Sequence, residues 1–170
     1  MLTNHANLMR FFAEAKEITG RKKLQKMIYI LQVCGLPFEE KYQFHFYGPY
    51  SEELSLRMEE LCNLGFLLET KEDKSNFIQY EYRVTAEGLN FLEQFAVDMP
   101  QLPDLFTILK GKSARFLELA ATMLYFRDLP KNEVEEKVQV VKPKQNYTQD
   151  EVQEAWTFID QMMTKAKGTH

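Results

Sequence analysis

The sequence predicts a mainly α-helical protein with a small β-hairpin, and three observations lead there. Residues 24–34 are apolar nearly all the way round a helical wheel, broken only by Gln25, Lys26 and Gln32. A surface helix would show one stripe, so this segment is the expected central, buried helix. Residues 66–70 and 77–84 are β-type runs on either side of the polar Lys71-Glu72-Asp73-Lys74-Ser75-Asn76. Ile78, Tyr80, Tyr82 and Val84 share one face of the second run, which gives a hairpin with a long charged tip. Met99-Pro100-Gln101-Leu102-Pro103 then interrupts the pattern, and the remainder of the chain carries helical periodicity. Residues 1–98 and 99–170 are therefore expected as two portions, the second helical and packed on the first.

The first helix is predicted over residues 3–19, with Leu8, Phe11, Phe12 and Ala15 inward and Gly20 as its stop. Arg21, Lys22, Lys23 and Lys26 come next, at the start of the central helix. Positive charge there opposes the helix dipole by a few tenths of a kcal/mol per residue, which points to an anionic partner. The plainer alternative is solvated lysines on a surface turn. After Gly35 and Pro37, residues 42–47 alternate as a short strand, and Gly48-Pro49 is expected to turn the chain into a helix that opens at Ser51. Ser51 is a good N-cap, with Glu52 and Glu53 in the first turn; Leu54 takes the place of a capping-box Glu. Leu54, Met58, Leu61 and Cys62 form the inward stripe, Gly65 is the C′ glycine, and Glu52, Glu53, Arg57, Glu59, Glu60 and Asn63 face outward.

Thr85 is the expected cap of a helix over residues 86–96, with Phe91, Leu92 and Phe95 on its apolar side. A short helix is predicted over 101–109. Ser113 caps an amphipathic helix with Leu117, Ala120, Ala121 and Leu124 in register, closed by Pro130. Val134, Val138 and Val141 mark a helix over 133–141. Thr148-x-x-Glu151 is a capping box, with Tyr147 placed to staple onto Val152, and Val152, Ala155, Trp156, Ile159 and Met163 form the last stripe. Residues 165–170 are expected to fray. Leu24, Met27, Ile28, Leu31, Leu54, Leu61 and Trp156 are the expected buried set.

A chain of 170 residues that is 45% hydrophobic, with 13 Phe and 8 Tyr, has enough apolar mass for a core of its own. Its opening residues show no basic segment followed by an apolar run, and no stretch approaches the roughly 20 apolar residues of a membrane span. The expected address is the cytoplasm, with no membrane partner. Cys34 and Cys62 sit in apolar helical patterns without a CxxC or a His at ligand spacing, and are expected as buried reduced thiols. His5, His45 and His170 are dispersed, and the 7 glycines form no phosphate-binding loop. Glu52/Glu53 and Glu59/Glu60 read as solvating charge on a helix face rather than as catalytic or metal carboxylates. No catalytic residue, cofactor or metal is expected, and the chain reads as non-enzymatic.

Helix, helix, short strand, helix, two-stranded hairpin, helix is the order of a winged helix-turn-helix, with the hairpin as the wing. Tyr82-Arg83-Val84-Thr85-Ala86-Glu87-Gly88-Leu89 resembles the wing-to-helix junction of many bacterial winged-helix regulators. More specific is Gly20-Arg21-Lys22-Lys23-Leu24-Gln25-Lys26-Met27-Ile28-Tyr29-Ile30-Leu31 together with Phe46-Tyr47-Gly48-Pro49-Tyr50-Ser51-Glu52-Glu53-Leu54. This pair resembles the YwgA family of bacterial proteins, and Ser113-Ala114-Arg115-Phe116-Leu117-Glu118-Leu119-Ala120 and Lys142-Pro143-Lys144 extend that likeness over most of the chain. Residues 21–65 are also similar, more distantly, to the SocA-like or Panacea domain of antitoxins. Neither resemblance implies an enzymatic activity or transfers a catalytic residue.

Two binding functions compete. In a DNA-reading winged helix the third helix enters the major groove, where Arg, Lys, Asn and Gln read bases. Here that helix presents Glu52, Glu53, Glu59 and Glu60 against Arg57, which the phosphates would repel, and the net charge of -4 offers no overall basic field. Arg57 with Lys71 and Lys74 of the wing are the candidate DNA contacts. A protein-binding regulatory or antitoxin-like role is the leading expectation, with Arg21, Lys22, Lys23, Lys26, Phe46, Tyr47 and Tyr50 as candidate partner contacts. A purely structural role for Phe46, Tyr47 and Tyr50 as a cover for the central helix competes with it. The oligomeric state stays open, a homodimer included.

Overall fold

The computed structural model describes residues 2–46 and 48–168; of the expected site residues, Tyr47 lies outside them, as does His170. The chain is mainly α-helical with two small antiparallel sheets. Helix α1 (Thr3–Ala15) buries Leu8, Met9, Phe11 and Phe12. It ends short of the expected Gly20, because Lys16 adopts a left-handed φ of 69° and its N–H closes onto the Phe12 carbonyl at 2.7 Å. Residues Glu17–Thr19 then form a strand, β1, absent from the sequence-based expectation. Three residues hold a single alternation, too little for a period to register; the strand exists because a distant segment supplies its hydrogen bonds.

Helix α2 (Arg21–Val33) starts from Gly20 at φ 101° and is the central, buried helix expected; every residue from Leu24 to Leu31 is buried, including Gln25 and Lys26, which break the apolar pattern. Strands β2 (Gln43–His45) and β3 (Gly48–Tyr50) pair with each other, His45 opposite Gly48 and Gln43 opposite Tyr50. Gly48 and Pro49 are thus strand residues, and the turn begins at Phe46, before them, a correction to the expected Gly-Pro turn. Proline is tolerated because β3 is an edge with no further neighbour to receive its missing N–H.

Helix α3 (Glu52–Asn63) is capped as expected: the Ser51 hydroxyl accepts from the Leu54 N–H at 3.0 Å. At its other end Gly65, at φ +81°, allows the Phe66 N–H to reach the Leu61 carbonyl and the Gly65 N–H to reach that of Cys62, a Schellman arrangement. Strands β4 (Leu67–Asp73) and β5 (Ile78–Val84) form the long hairpin, and β1 pairs with β5 to give the order β1-β5-β4. Ile18 lies opposite Tyr82, and Glu69 opposite Tyr82 on the other side. Lys71, Glu72 and Asp73, expected in the charged tip, belong to β4; a polar strand is stable there because its outer half is exposed and needs no apolar face.

Helix α4 (Ala86–Glu93) stops before residue 96 and keeps Phe91, Leu92 and Phe95 only half-buried. Helices α5 (Leu102–Leu109), α6 (Ala114–Tyr125), α7 (Lys131–Val141) and α8 (Gln149–Ala166) complete the chain, with one 3₁₀ turn at Pro143–Gln145. The caps at Thr85, Ser113 and Thr148 are all formed, the last as a full capping box with Glu151, and α8 stays helical through residue 166 where fraying was expected. Helix α6 buries every residue from Leu117 to Leu124, because α2 covers it on one side and α7 and α8 on the other. One apolar core runs through α1, α2, α3, α5, α6 and α8, with a satellite of Leu119, Met123, Val134, Val138, Tyr147, Val152 and Ala155. Of the expected buried set, Trp156 is corrected: it is half-buried, its indole N–H donating to Glu135 at 2.8 Å, and Phe158 and Met162 take the inward places on α8. A buried indole would have had to find that partner inside the core.

Candidate functional site

Some of the residues that the sequence singles out meet where the β2–β3 hairpin packs on α2 and α6. Lys26 is expected with the exposed basic cluster, yet it is only 2% exposed, which corrects that placement. Its ammonium donates to the Pro49 carbonyl at 2.7 Å. Lys142, at the end of α7, donates to the Phe46 carbonyl, so two lysines hold the backbone on either side of the turn. Glu118 of α6 lies 3.7 Å from the Lys142 ammonium and accepts from Tyr147 at 3.3 Å and from Gln145 at 3.4 Å. Gly48 closes the arrangement at φ +89°: a Cβ there would stand 3.2 Å from the Thr122 hydroxyl and 3.5 Å from Cε of Lys26. Only glycine takes that backbone conformation without strain and fits that approach.

This cluster is cationic and dry. Burial pulls the Lys26 ammonium down to about 8; Glu118 opposes that shift, while Lys142 and Lys22 reinforce it. Burial likewise lowers Lys142 against the pull of Glu118, and burial followed by Glu118 raises the Tyr147 phenol. The Thr122 hydroxyl is fully buried without a hydrogen-bond partner among the described residues.

Beside the cluster lies a cavity of about 560 Å³ between α2, α3 and the β4–β5 hairpin. At one end Gln25 clamps the start of α3, exchanging hydrogen bonds with both the N–H and the carbonyl of Ser51 at 2.9 Å and donating to Ser55 at 3.1 Å. The Tyr50 hydroxyl is 2.7 Å from that of Ser55, and its ring stacks on His45 at 5.1 Å. At the other end Arg21 donates to the Tyr82 hydroxyl at 2.9 Å and to Glu69 at 3.2 Å, and lies 3.6 Å over the Tyr80 ring.

Four of the seven candidate partner contacts, Arg21, Lys22, Lys26 and Tyr50, line this cavity. Lys23 is half-buried outside its lining, and Phe46 stands 78% exposed at the hairpin tip. The candidate DNA contacts are not brought together. Arg57, expected on the outward face of α3, is half-buried in a two-pronged pair with Glu40 at 3.0 and 3.1 Å. Glu53, also expected outward, accepts from the Lys41 N–H at 3.0 Å. Both turn toward the loop before β2, which no local pattern announces. Lys74 pairs with Glu72 at 2.9 Å, and Lys71 stands exposed on β4 opposite Tyr80.

Glu118 and Thr122 escape sequence reasoning as site residues because they lie off the stripe of Leu117, Ala120, Ala121 and Leu124 and are buried only where other helices cover α6 on both sides, and Tyr147 because its place before α8 reads as a staple. Lys142 and Glu118 do lie in segments that carry the family resemblance, the one pointer the sequence offers to them. Cys34 and Cys62 are free and half-buried, and burial pushes both thiols up to about 11, away from thiolate chemistry. Among the described residues no group of three His, Cys, Asp or Glu side chains could hold a metal, and no helix is long and apolar enough to cross a membrane.

No protein-family model matches the chain. It is 52% identical over 162 residues to the Bacillus subtilis (strain 168) protein called "Uncharacterized protein YwgA", an alignment that covers 95% of this chain and 98% of that one. With a relative so similar over almost the whole of both lengths, the chain belongs to the YwgA family.

Proposed function

We propose that this chain is a non-enzymatic regulatory protein of winged-helix type, acting in the cytoplasm by binding another protein in the manner of an adaptor or antitoxin. The winged-helix reading is supported by the order α1, β1, α2, α3, β4, β5 and by the antiparallel sheet β1-β5-β4; on that reading α3 takes the place of a recognition helix. The observation that carries the choice of protein over DNA is the commitment of the cations around that helix. Arg57 is tied to Glu40, Arg21 to Glu69, Lys74 to Glu72 and Arg83 to Glu17, while Glu52, Glu59 and Glu60 stand exposed on α3. Swinging Arg57 toward a phosphate would strand the buried Glu40 carboxylate, at a cost of about 3–5 kcal/mol. Phe46 supports a protein partner: it is a large exposed apolar side chain on a backbone already held by Lys26 and Lys142. A pre-ordered aromatic anchor loses little entropy on binding.

Capture of partners from native cell extract, repeated after nuclease treatment, tests the reading. A protein retained after nuclease, and lost from Phe46→Ala with the melting temperature unchanged, is the expected result. Tight sequence-specific binding of duplex DNA at low salt, lost on Arg57→Ala, would overturn it in favour of a DNA-binding regulator.

A further inference from the structure

The cavity along α3 has two unlike ends. Its volume of about 560 Å³ falls within the roughly 300–1,000 Å³ of small-molecule sites. Leu54, Met58, Tyr50 and Tyr82 are among its lining residues. At the Tyr82 end the charges are matched, Arg21 against Glu69. Toward Tyr50 two buried ammoniums, Lys26 and Lys142, share one carboxylate, Glu118, which also accepts from Tyr147 and Gln145, and Lys22 is a further lining residue.

An ammonium carries three N–H donors. Lys26 directs a hydrogen bond to the Pro49 carbonyl, and no carboxylate is in salt-bridge contact with it among the described residues. The one carboxylate that acts on Lys26, Glu118, also serves Lys142, and a buried ammonium with only a shared counter-charge is costly unless an anion comes to it. Glu59 on the same lining limits how much negative charge can enter, so a single anionic group fits better than a dianion.

We propose that this cavity binds a small organic monocarboxylate, its carboxylate held by Lys26 and Lys22 and its apolar or aromatic body enclosed by Leu54, Met58 and Tyr50. The site is distinct from the Phe46 tip, so it stands or falls separately from the partner reading.

The test is calorimetric titration of the full chain with octanoate and 2-naphthoate, beside 1-octanol and 2-naphthol as neutral counterparts and octyl phosphate as the dianion. The expected result is saturable one-site binding of at least one carboxylate, at least tenfold tighter than its alcohol and tighter than the phosphate. Lys22→Glu, an exposed position, weakens it at least fivefold, whereas Lys71→Glu, the same charge change on the β4–β5 hairpin, does not. Lys26→Met removes the preference for acid over alcohol. No saturable binding of either carboxylate, equal affinity for acid and alcohol, or indistinguishable losses in Lys22→Glu and Lys71→Glu would each overturn the proposal.

Discussion

Lys26 holds the β2–β3 turn at a cost in stability near neutral pH. Its ordinary value is 10.5, and burial lowers it to about 8 in the fold. Between those values the unfolded chain binds more protons than the folded one, so stability rises with pH across that window. Relative to Lys26→Met, the wild-type chain gains about 3 kcal/mol between pH 7 and pH 10.5, from the difference between the two values. Urea unfolding of both proteins across that range checks this, and a constant difference would contradict it. Gly88 is the second residue whose substitution sets two effects against each other. Alanine would raise helix propensity in α4 by about 1 kcal/mol. Its Cβ, however, would stand 2.4 Å from the Phe66 carbonyl oxygen, a backbone atom, and 2.7 Å from Cε of Met9. The clash wins: Gly88→Ala is expected to lose about 1–3 kcal/mol net, read as a lower urea midpoint with unchanged slope.

At the scale of elements, the β2–β3 hairpin is too short to be stable by itself, since a two-stranded ribbon is marginal in water. It is held by bonds to its carbonyls from α2 and from the end of α7, with Glu118 of α6 balancing the second. Lys142→Met removes one of these and leaves Glu118 buried with one fewer partner. The expected outcome is faster amide exchange at His45 and Tyr50 and a loss of about 1–3 kcal/mol, with exchange in α8 changed only by the global term. Unchanged protection of the hairpin would show that Lys142 does not hold it. The capping box of α8 is a separate local device. The Arg115 guanidinium and then the Thr148 N–H hold the Glu151 carboxyl down to about 2, against the opposing effect of burial. With the folded value depressed, the stabilisation is present above about pH 4.5 and lost as pH falls toward 2. Because the pair is exposed, its contribution stays modest.

At the scale of the molecule, α2 and α6 each bury eight consecutive residues, and they pack on each other more extensively than any other helix pair. A fragment of residues 1–98 keeps α2 but loses α6, α5 and α8, which share its apolar core. That fragment is expected to lack a cooperative thermal transition, while the full chain unfolds in a single one by calorimetry. A cooperative fragment with native-like near-UV dichroism would refute the expectation.

Much of the fold was legible from order and period alone. The enclosure of α2, the N-caps at Ser51, Thr85, Ser113 and Thr148, the Gly65 stop and the β4–β5 hairpin each arise from residues within a few positions of one another. Such features are governed by local hydrogen bonds and by a hydrophobic repeat, which a sequence writes directly. The gathering of Arg21, Lys22, Lys26 and Tyr50 around one cavity was foreshadowed, because those residues stand at one helix start and one short strand. What only the tertiary structure decided is pairing over distance. β1 is a strand because β5 lies beside it, Arg57 turns inward because Glu40 awaits it, and Lys26 and Lys142, 116 positions apart by their numbers, converge on one turn because α6 brings Glu118 between them. A charged side chain's partner is set by where the packed core places it, and no period in the chain encodes that placement.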